Sequence, residues 1–318
     1  MKRFFRDADG PCLAPQGSVV CIGAFDGVHR GHAALLAHAR RRAQARRLPL
    51  VVVSFEPLPR QHFQGHATLP RLTSPRQRLA LLLAHCDAVG FLRFGHELAS
   101  TPAEDFVHRV LVSRLAAREV WVGPGFRFGH ERRGDLGMLG AIGAVRGFSA
   151  DAIEPQFDGG ERISSSRIRA ALGESRFDDA AALLGRRFAI EGHVVRGAQL
   201  GRKLGYPTAN LRIRHGRAPV HGIFAVRVHG AGLSHWPAVA SLGTRPTVNG
   251  VEPLLEAHLF DFDGDLYGRI LSVDFVARLR DELKFDGLDP LVQQMHRDAA
   301  QAREILARGP HLEEALTL

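Results

Sequence analysis

The chain has 318 residues, 45% of them hydrophobic and 24% charged, which is the composition of a soluble globular protein of about two domains and excludes a disordered or fibrous one. No apolar run approaches the roughly 18 residues of a membrane span, Met1 to Gly10 is charged without a signal region, and Cys12, Cys21 and Cys86 lack metal or CxxC spacing; a reduced, cytoplasmic protein with no membrane partner is expected. The net charge of +9 would suit a basic nucleic-acid-binding regulator, but it is arginine-borne in an alanine-rich chain, and its densest run, Arg40-Arg41-Arg42 to Arg46-Arg47, falls on the solvated face of a predicted helix, so no nucleic-acid partner is expected.

The first half alternates strand and helix. Residues 19–22 form a buried strand, followed by a helix over 31–47. A second strand, 50–55, is closed by Pro57 and Pro59. Ser74-Pro75 starts a helix with an apolar body at 79–83. Thr101-Pro102-Ala103-Glu104 has the form of a capping box and opens a helix through Leu115. Residues 120–122 are a further strand. Such alternation implies a parallel sheet covered by helices on both faces, with ligands at the carboxyl ends of its strands. Segments 23–32, 54–59 and 123–128 lie at such ends.

The pattern changes near residue 186. Alternating apolar runs at 188–195, 222–228, 238–242, 254–260 and 270–275 are separated by Gly, Pro, Asn and Asp turns. Asp261, Asp263 and Asp265 fit one such polar turn. A small antiparallel barrel is expected. A helix over 288–308 follows, with Leu291, Val292, Met295, Ala299, Ala302 and Ile305 on one stripe. Residues 177–184 are predicted to be a helix bridging the halves. The boundary is placed at Gly185, giving domains 1–185 and 186–318, an α/β domain followed by a β domain.

The string GAFDGVHRGH, residues 23–32, carries the first chemistry. A strand that ends in a Gly-bounded loop and enters a helix offers free N–H groups to phosphate. Gly23 and Phe25 open the loop, Gly27 and Gly31 leave room for a ligand at the backbone, and His29 and His32 can donate to phosphate oxygens. The HxGH spacing resembles that of the nucleotidyltransferases related to class I aminoacyl-tRNA synthetases. With Phe25-Asp26-Gly27, the SFEPLPR segment from Ser54, VGPGFRFGHERRGD from Val122 and ISSSRIR from Ile163, it resembles the bacterial FAD synthetases. That resemblance implies a Rossmann-like fold and adenylylation of FMN by ATP. Ser164, Ser165 and Ser166 would hold the triphosphate, Arg169 would neutralise it, and Pro57, Pro59 and Phe128 would hold the flavin. Family members usually carry Asp or Asn where this chain has Gly125, so the alternative is a kinase with an impaired adenylyltransferase half.

The second string is GHVVRGAQLGRKLGYPTANL, residues 192–211. The chain has no GxxxxGK[ST] loop, which excludes an ordinary P-loop kinase. Gly197, Gly201 and Gly205 give a flexible loop for ATP phosphates, beside Arg202. The string, with GTRPTVNG and LEAHLFDFDGDLYG downstream, resembles riboflavin kinase. Thr208 and Asn210 of its PTAN motif would hold Mg²⁺ with ATP, Asn210 could instead fix the ribityl chain, Glu256 falls at the family's catalytic carboxylate, and Arg280 and Phe285 would close over the flavin. The whole resembles the bifunctional family that converts riboflavin to FMN in a six-stranded barrel and FMN to FAD in the preceding domain.

Overall fold

A computed structural model describes residues 4–64, 69–197, 200–213, 217–247 and 250–308. The chain divides into two compact units, Met1–His66 with Pro75–Ser164, and Ala67–Ser74 with Ser165–Leu318.

In the first unit the described elements are β1 (Phe4–Phe5), β2 (Ser18–Ile22), α1 (Arg30–Arg46), β3 (Leu50–Glu56), α2 (Pro59–Gln64), α3 (Pro75–Leu83), β4 (Ala88–Arg93), α4 (His96–Ala99), α5 (Ala103–Phe106), β5 (Ala117–Val122), α6 (Leu136–Arg146), β6 (Ser149–Ala152) and a hairpin of β7 (Phe157–Asp158) and β8 (Glu161–Arg162). The sheet order is β1-β4-β3-β2-β5-β6, and every pair is parallel. Strand β2 is buried along its whole length because each face has its own cover. Val20 and Ile22 pack with Phe106, Val110 and Leu111, while Val19 and Cys21 pack with Leu35, Leu36 and Leu82. Both faces are apolar, as a two-sided parallel sheet requires.

Three expectations are corrected here. Strand β4 was not predicted; its Gly90 interrupts the apolar run, and a Cβ there would lie 2.4 Å from the Phe5 ring. Thr101 does not cap α5. Its Oγ1 donates back to the Glu97 carbonyl at 2.8 Å, Pro102 holds the cap position without a side-chain bond, and the helix continues as a π-helical stretch over Val107–Arg114. Helix α6 was also missed. Its Leu-Gly-Met-Leu-Gly sequence has weak helix propensity, but Asp135 caps it by accepting from the Met138 N–H at 2.9 Å.

The second unit holds α7 (Ser165–Gly173), α8 (Phe177–Leu184), β9 (Ala189–Val195), α9 (Leu200–Lys203), β10 (Ala209–Arg212), β11 (Gly222–Gly230), β12 (Leu233–Thr247), β13 (Gly250–Leu259), β14 (Ile270–Arg280) and α10 (Leu288–Arg308). Among the described residues these strands close a barrel in the order β10-β13-β12-β11-β14-β9. Strand β10 lies inside the PTAN string and is too short to show alternation. Ala299, Ala302 and Leu306 of α10 pack on Tyr206, Ala225 and Phe260. Gly185 ends α8 in the left-handed conformation, but the compact unit begins earlier than Gly185. Helix α8 packs with the barrel, through Phe177 against Phe224 and Phe275 at centroid distances of 5.8 and 6.3 Å.

Candidate active sites

In the first unit the order of crossovers reverses between β2 and β5, and the crevice at their carboxyl ends is where an open α/β sheet binds ligands. The loop 23–32 leaves β2 there. His29 is the N-cap of α1, and its Nδ1 accepts from the His32 N–H at 3.3 Å. With Nδ1 accepting, a neutral His29 ring would carry its proton on Nε2. The His29 and His32 rings stack at 3.7 Å with an interplanar angle of 17°, and the Phe25 ring lies 5.0 Å from His32. Gly31 makes this stack possible: a Cβ there would stand 3.2 Å from the His29 ring and 3.7 Å from the Ile163 carbonyl oxygen. The space left by Gly31 thus admits His29 rather than a ligand, and the first residue of the ISSSRIR string reaches the same point. At Gly23 the Phe25 ring fills the space a Cβ would need, at 3.1 Å. Phe25 and Val28 hold φ of +51° and +40°, unusual for a bulky and for a β-branched residue; Gly27 adopts +85° at no such cost.

Around this loop stand the ends of the neighbouring strands. Pro57 follows β3 through a cis peptide bond with Glu56, and Pro59 begins α2. Phe128 is not at the surface. It is 7% exposed and packs on Phe106 and Phe126 at 5.9 and 5.5 Å, so the half-buried ring of this loop is Phe126. Gly125 is exposed, with φ +73° and nothing within 4 Å of a Cβ position. Arg78, which its sequence position did not single out, is 1% exposed beneath the loop. Ser164 ends the first unit; Ser165, Ser166 and Arg169 are carried by α7 of the second. There the Arg169 Nε donates to the Pro70 carbonyl at 2.6 Å, so one edge of the guanidinium is committed to the segment before Ser74.

In the barrel, Asn210 on β10 stands directly opposite Glu256 on β13, and Ser241 on β12 faces Glu256 from the other side. The Asn210 Nδ2 lies 3.3 Å from the Thr208 Oγ1 and carbonyl oxygen. A Cβ on Gly197 would come within 2.5 Å of Asn210 Oδ1, and one on Gly201 within 2.3 Å of the Tyr206 carbonyl. Gly197 and Gly201 therefore serve close packing, a correction to the flexible-loop expectation; Ala198 and Gln199 between them lie outside the described residues. A cavity of about 390 Å³ brings Gly201, Thr208, Glu256, Arg280 and Phe285 to one site. Gly205 and Arg202 are exposed nearby in sequence and do not line it. The Arg280 guanidinium forms a fork with Asp298 at 2.7 to 3.1 Å and lies 5.9 Å from the Phe285 ring centre. Asp298, itself buried, also accepts from Gln294 at 2.8 Å. Neither Asp298 nor Tyr206, whose hydroxyl meets His296 Nδ1 at 2.5 Å, was expected. Both sit in amphipathic or motif-flanking positions with no signal of their own. Among the described residues no group of three or more His, Cys, Asp or Glu could hold a metal ion.

Comparison with known proteins follows the same division. Residues 13–167 match the FAD synthetase family and residues 184–306 the riboflavin kinase family. The Escherichia coli (strain K12) protein named bifunctional riboflavin kinase/FMN adenylyltransferase is 44% identical over 294 residues, covering 92% of this chain and 94% of that protein. The protein of that name from Pseudomonas fluorescens is 43% identical over 297 residues, covering 93% and 95%. A solved structure from Streptococcus pneumoniae, titled a macrolide-efflux protein, is similar with a TM-score of 0.79 and 29% identity over 96% of this chain and 99% of that one. In the present chain no described helix is long and apolar enough to cross a membrane. With both halves matched in order and over nine-tenths of its length, the chain belongs to the bifunctional riboflavin kinase/FMN adenylyltransferase family.

Proposed function

We propose that the chain makes FMN and then FAD, with the kinase in residues 186–318, the adenylyltransferase in residues 1–185, and riboflavin, FMN and ATP as its small-molecule partners in the cytoplasm. The observation that carries this is Glu256 lining a cavity of the barrel beside Thr208, with Asn210 opposite it on the adjacent strand, in a unit other than the one that holds the histidine-bearing loop.

In the kinase step the terminal ribityl hydroxyl attacks the γ-phosphorus of ATP, and the bond to the β–γ bridging oxygen breaks. Glu256 accepts the hydroxyl proton as the phosphoryl group arrives in line. Thr208 Oγ1 and Asn210 Oδ1 are the hard oxygen donors that Mg²⁺ takes in small number beside phosphate oxygens, and a side chain at position 197 would press on Asn210 Oδ1. When bound there with ATP, Mg²⁺ supplies charge neutralisation. Arg280, steadied by Asp298, and Phe285 face the flavin. Gly201, which lines the cavity, would meet the ATP phosphates, with Arg202 and Gly205 following it in sequence.

In the second step an FMN phosphate oxygen attacks the α-phosphorus of ATP and pyrophosphate leaves. The nucleophile is already an anion and needs no base, so alignment and charge stabilisation suffice. His29 Nε2 and His32 donate to the phosphates. Ser164, at the end of the same unit, receives the departing pyrophosphate, and the 57–59 segment with the Phe126–Phe128 loop holds the isoalloxazine.

A paired assay tests both assignments. The purified chain is incubated with ATP and Mg²⁺, starting once from riboflavin and once from FMN, and products are separated by chromatography. Wild type is expected to give FMN and FAD. Glu256→Gln is expected to lose FMN formation by about 10²–10⁴-fold, the range of general-base catalysis, while still converting supplied FMN to FAD. His29→Ala is expected to do the reverse, losing FAD formation by roughly 10²-fold, the scale of one preorganised donor. Equal loss of both products in either folded variant would defeat the two-site assignment.

A further inference from the structure

We propose that Arg78 is a positioning residue for adenylyl transfer, holding the histidine loop from beneath. The inference rests on the reading of loop 23–32 as the adenylyl-transfer site. Arg78 projects from α3 and is almost wholly buried. Its Nη1 donates to the Ala24 carbonyl at 3.0 Å, and its Nη2 donates to the Phe55 carbonyl and to Glu56 Oε2, both at 2.8 Å. Its Cζ lies 4.4 Å from the centre of the Phe91 ring. A buried guanidinium is costly unless its partners are well placed, and an apolar side chain would fill such a space with less desolvation. What an apolar side chain could not do is join the segment after β2 to the end of β3.

The Ala24 carbonyl accepts a second bond, from Ser54 Oγ at 3.0 Å. With two donors on it, the Ala24–Phe25 peptide is fixed. Phe25 holds φ +51°, and relaxing it to negative φ would turn that peptide and break the bonds. The Phe25 ring rests against His32, and His32 stacks on His29. Arg78 therefore acts on the two histidines through Ala24 and Phe25, without reaching the phosphates itself.

The test uses the full chain and two variants. Arg78→Lys keeps the charge but loses the fork, and Arg78→Met removes both. Hydrogen exchange across residues 23–32 is measured without substrate, and kcat and KM for FAD formation from FMN are measured beside FMN formation from riboflavin. Both variants are expected to speed exchange in that loop. They are expected to lower kcat for FAD by about 10- to 100-fold, the scale of a small misplacement of reacting groups, with KM for ATP and the rate of FMN formation little changed. Unchanged exchange or unchanged kcat in Arg78→Lys would overturn the proposal. So would parallel loss of both activities, which marks a general folding role. If Arg78→Met fails to fold, Arg78→Lys and Ser54→Ala, expected to act in the same direction, decide the question. A wild type that forms FMN but no FAD would sink the adenylyl-transfer reading instead, while the exchange result would still report whether Arg78 holds the loop.

Discussion

Gly125 shows how a departure from a family pattern can leave the backbone untouched. Its φ of +73° lies in the left-handed region, and a Cβ would meet nothing within 4 Å. Asn and Asp are the residues other than glycine that enter this region most readily, so either could stand here with little backbone strain. The loss here is of a polar group and not of a conformation. Gly125→Asn is therefore expected to keep the fold and to preserve or raise the initial rate of FAD formation from supplied FMN. A fall in that rate with an unchanged melting temperature would show that the position needs glycine. At this scale the sequence was most legible where several unusual residues fall close together, as in the string from Gly23 to His32. It was silent on Arg78 and Asp298. Each is a charged residue on a helix, ordinarily a solvated position, and each is tied to groups outside its helix, Arg78 to Ala24 and Phe55 and Asp298 to Arg280. It also misjudged Gly31, because a sequence records that a Cβ is missing and not which neighbour takes its place.

Among the elements, α1 and β5 are joined by a carboxylate. Glu119 on β5 is fully buried and receives Arg42 at 2.7 and 2.9 Å, Trp121 Nε1 at 3.0 Å and Arg46. The hydrogen bonds from Arg42, with those from Trp121 and Arg46, outweigh burial and hold its pKa down at about 2 from an ordinary 4.5. A lowered carboxylate pKa stabilises the fold fully above the unfolded value and loses that contribution as pH falls through the folded one. Glu119→Gln is expected to lower thermal stability at pH 7, with the gap to wild type narrowing below pH 4.5 and closing towards pH 2. Melts by circular dichroism across that range would show it; a gap independent of pH would place the effect in packing alone. The same region shows that three arginines of the basic helix α1 have partners within the fold. Arg42 and Arg46 are committed to Glu119, and Arg40 to Asp87 at 2.7 Å and the His85 carbonyl. Helix α10 was legible from its apolar stripe and α1 from the strand and loop before it, whereas β4, β10 and α6 were not, since glycine or brevity erased their patterns.

For the whole molecule, the change of sequence pattern near residue 186 located the start of the barrel but not of the unit that contains it. Phe177 is buried against Phe224 and Phe275, so α8 contributes to the barrel's core although its own sequence gives no hint of which half it serves. A fragment starting at Ser165 is expected to melt higher than one starting at Arg186, because loss of a buried Phe and its neighbours typically costs a few kcal/mol, and both are expected to phosphorylate riboflavin. Thermal melts and FMN yields of the two fragments check this. Equal melting temperatures would return α8 to the role of a linker.

The closure of the barrel also sets a timetable. Its earliest strand, β9, pairs with β14, the last, placing Ala189 beside Asp274. During synthesis β9 must wait, one edge unsatisfied, until the chain through Asp274 has emerged. The β11–β12–β13 meander pairs strands adjacent in sequence and can assemble in the meantime, since local contacts cost less chain entropy than distant ones. The parallel sheet, whose strands all precede residue 153, is complete long before. The half that acts second on the flavin is thus the first to be built, and a nascent chain holds its adenylyltransferase fold before it has any kinase to supply it.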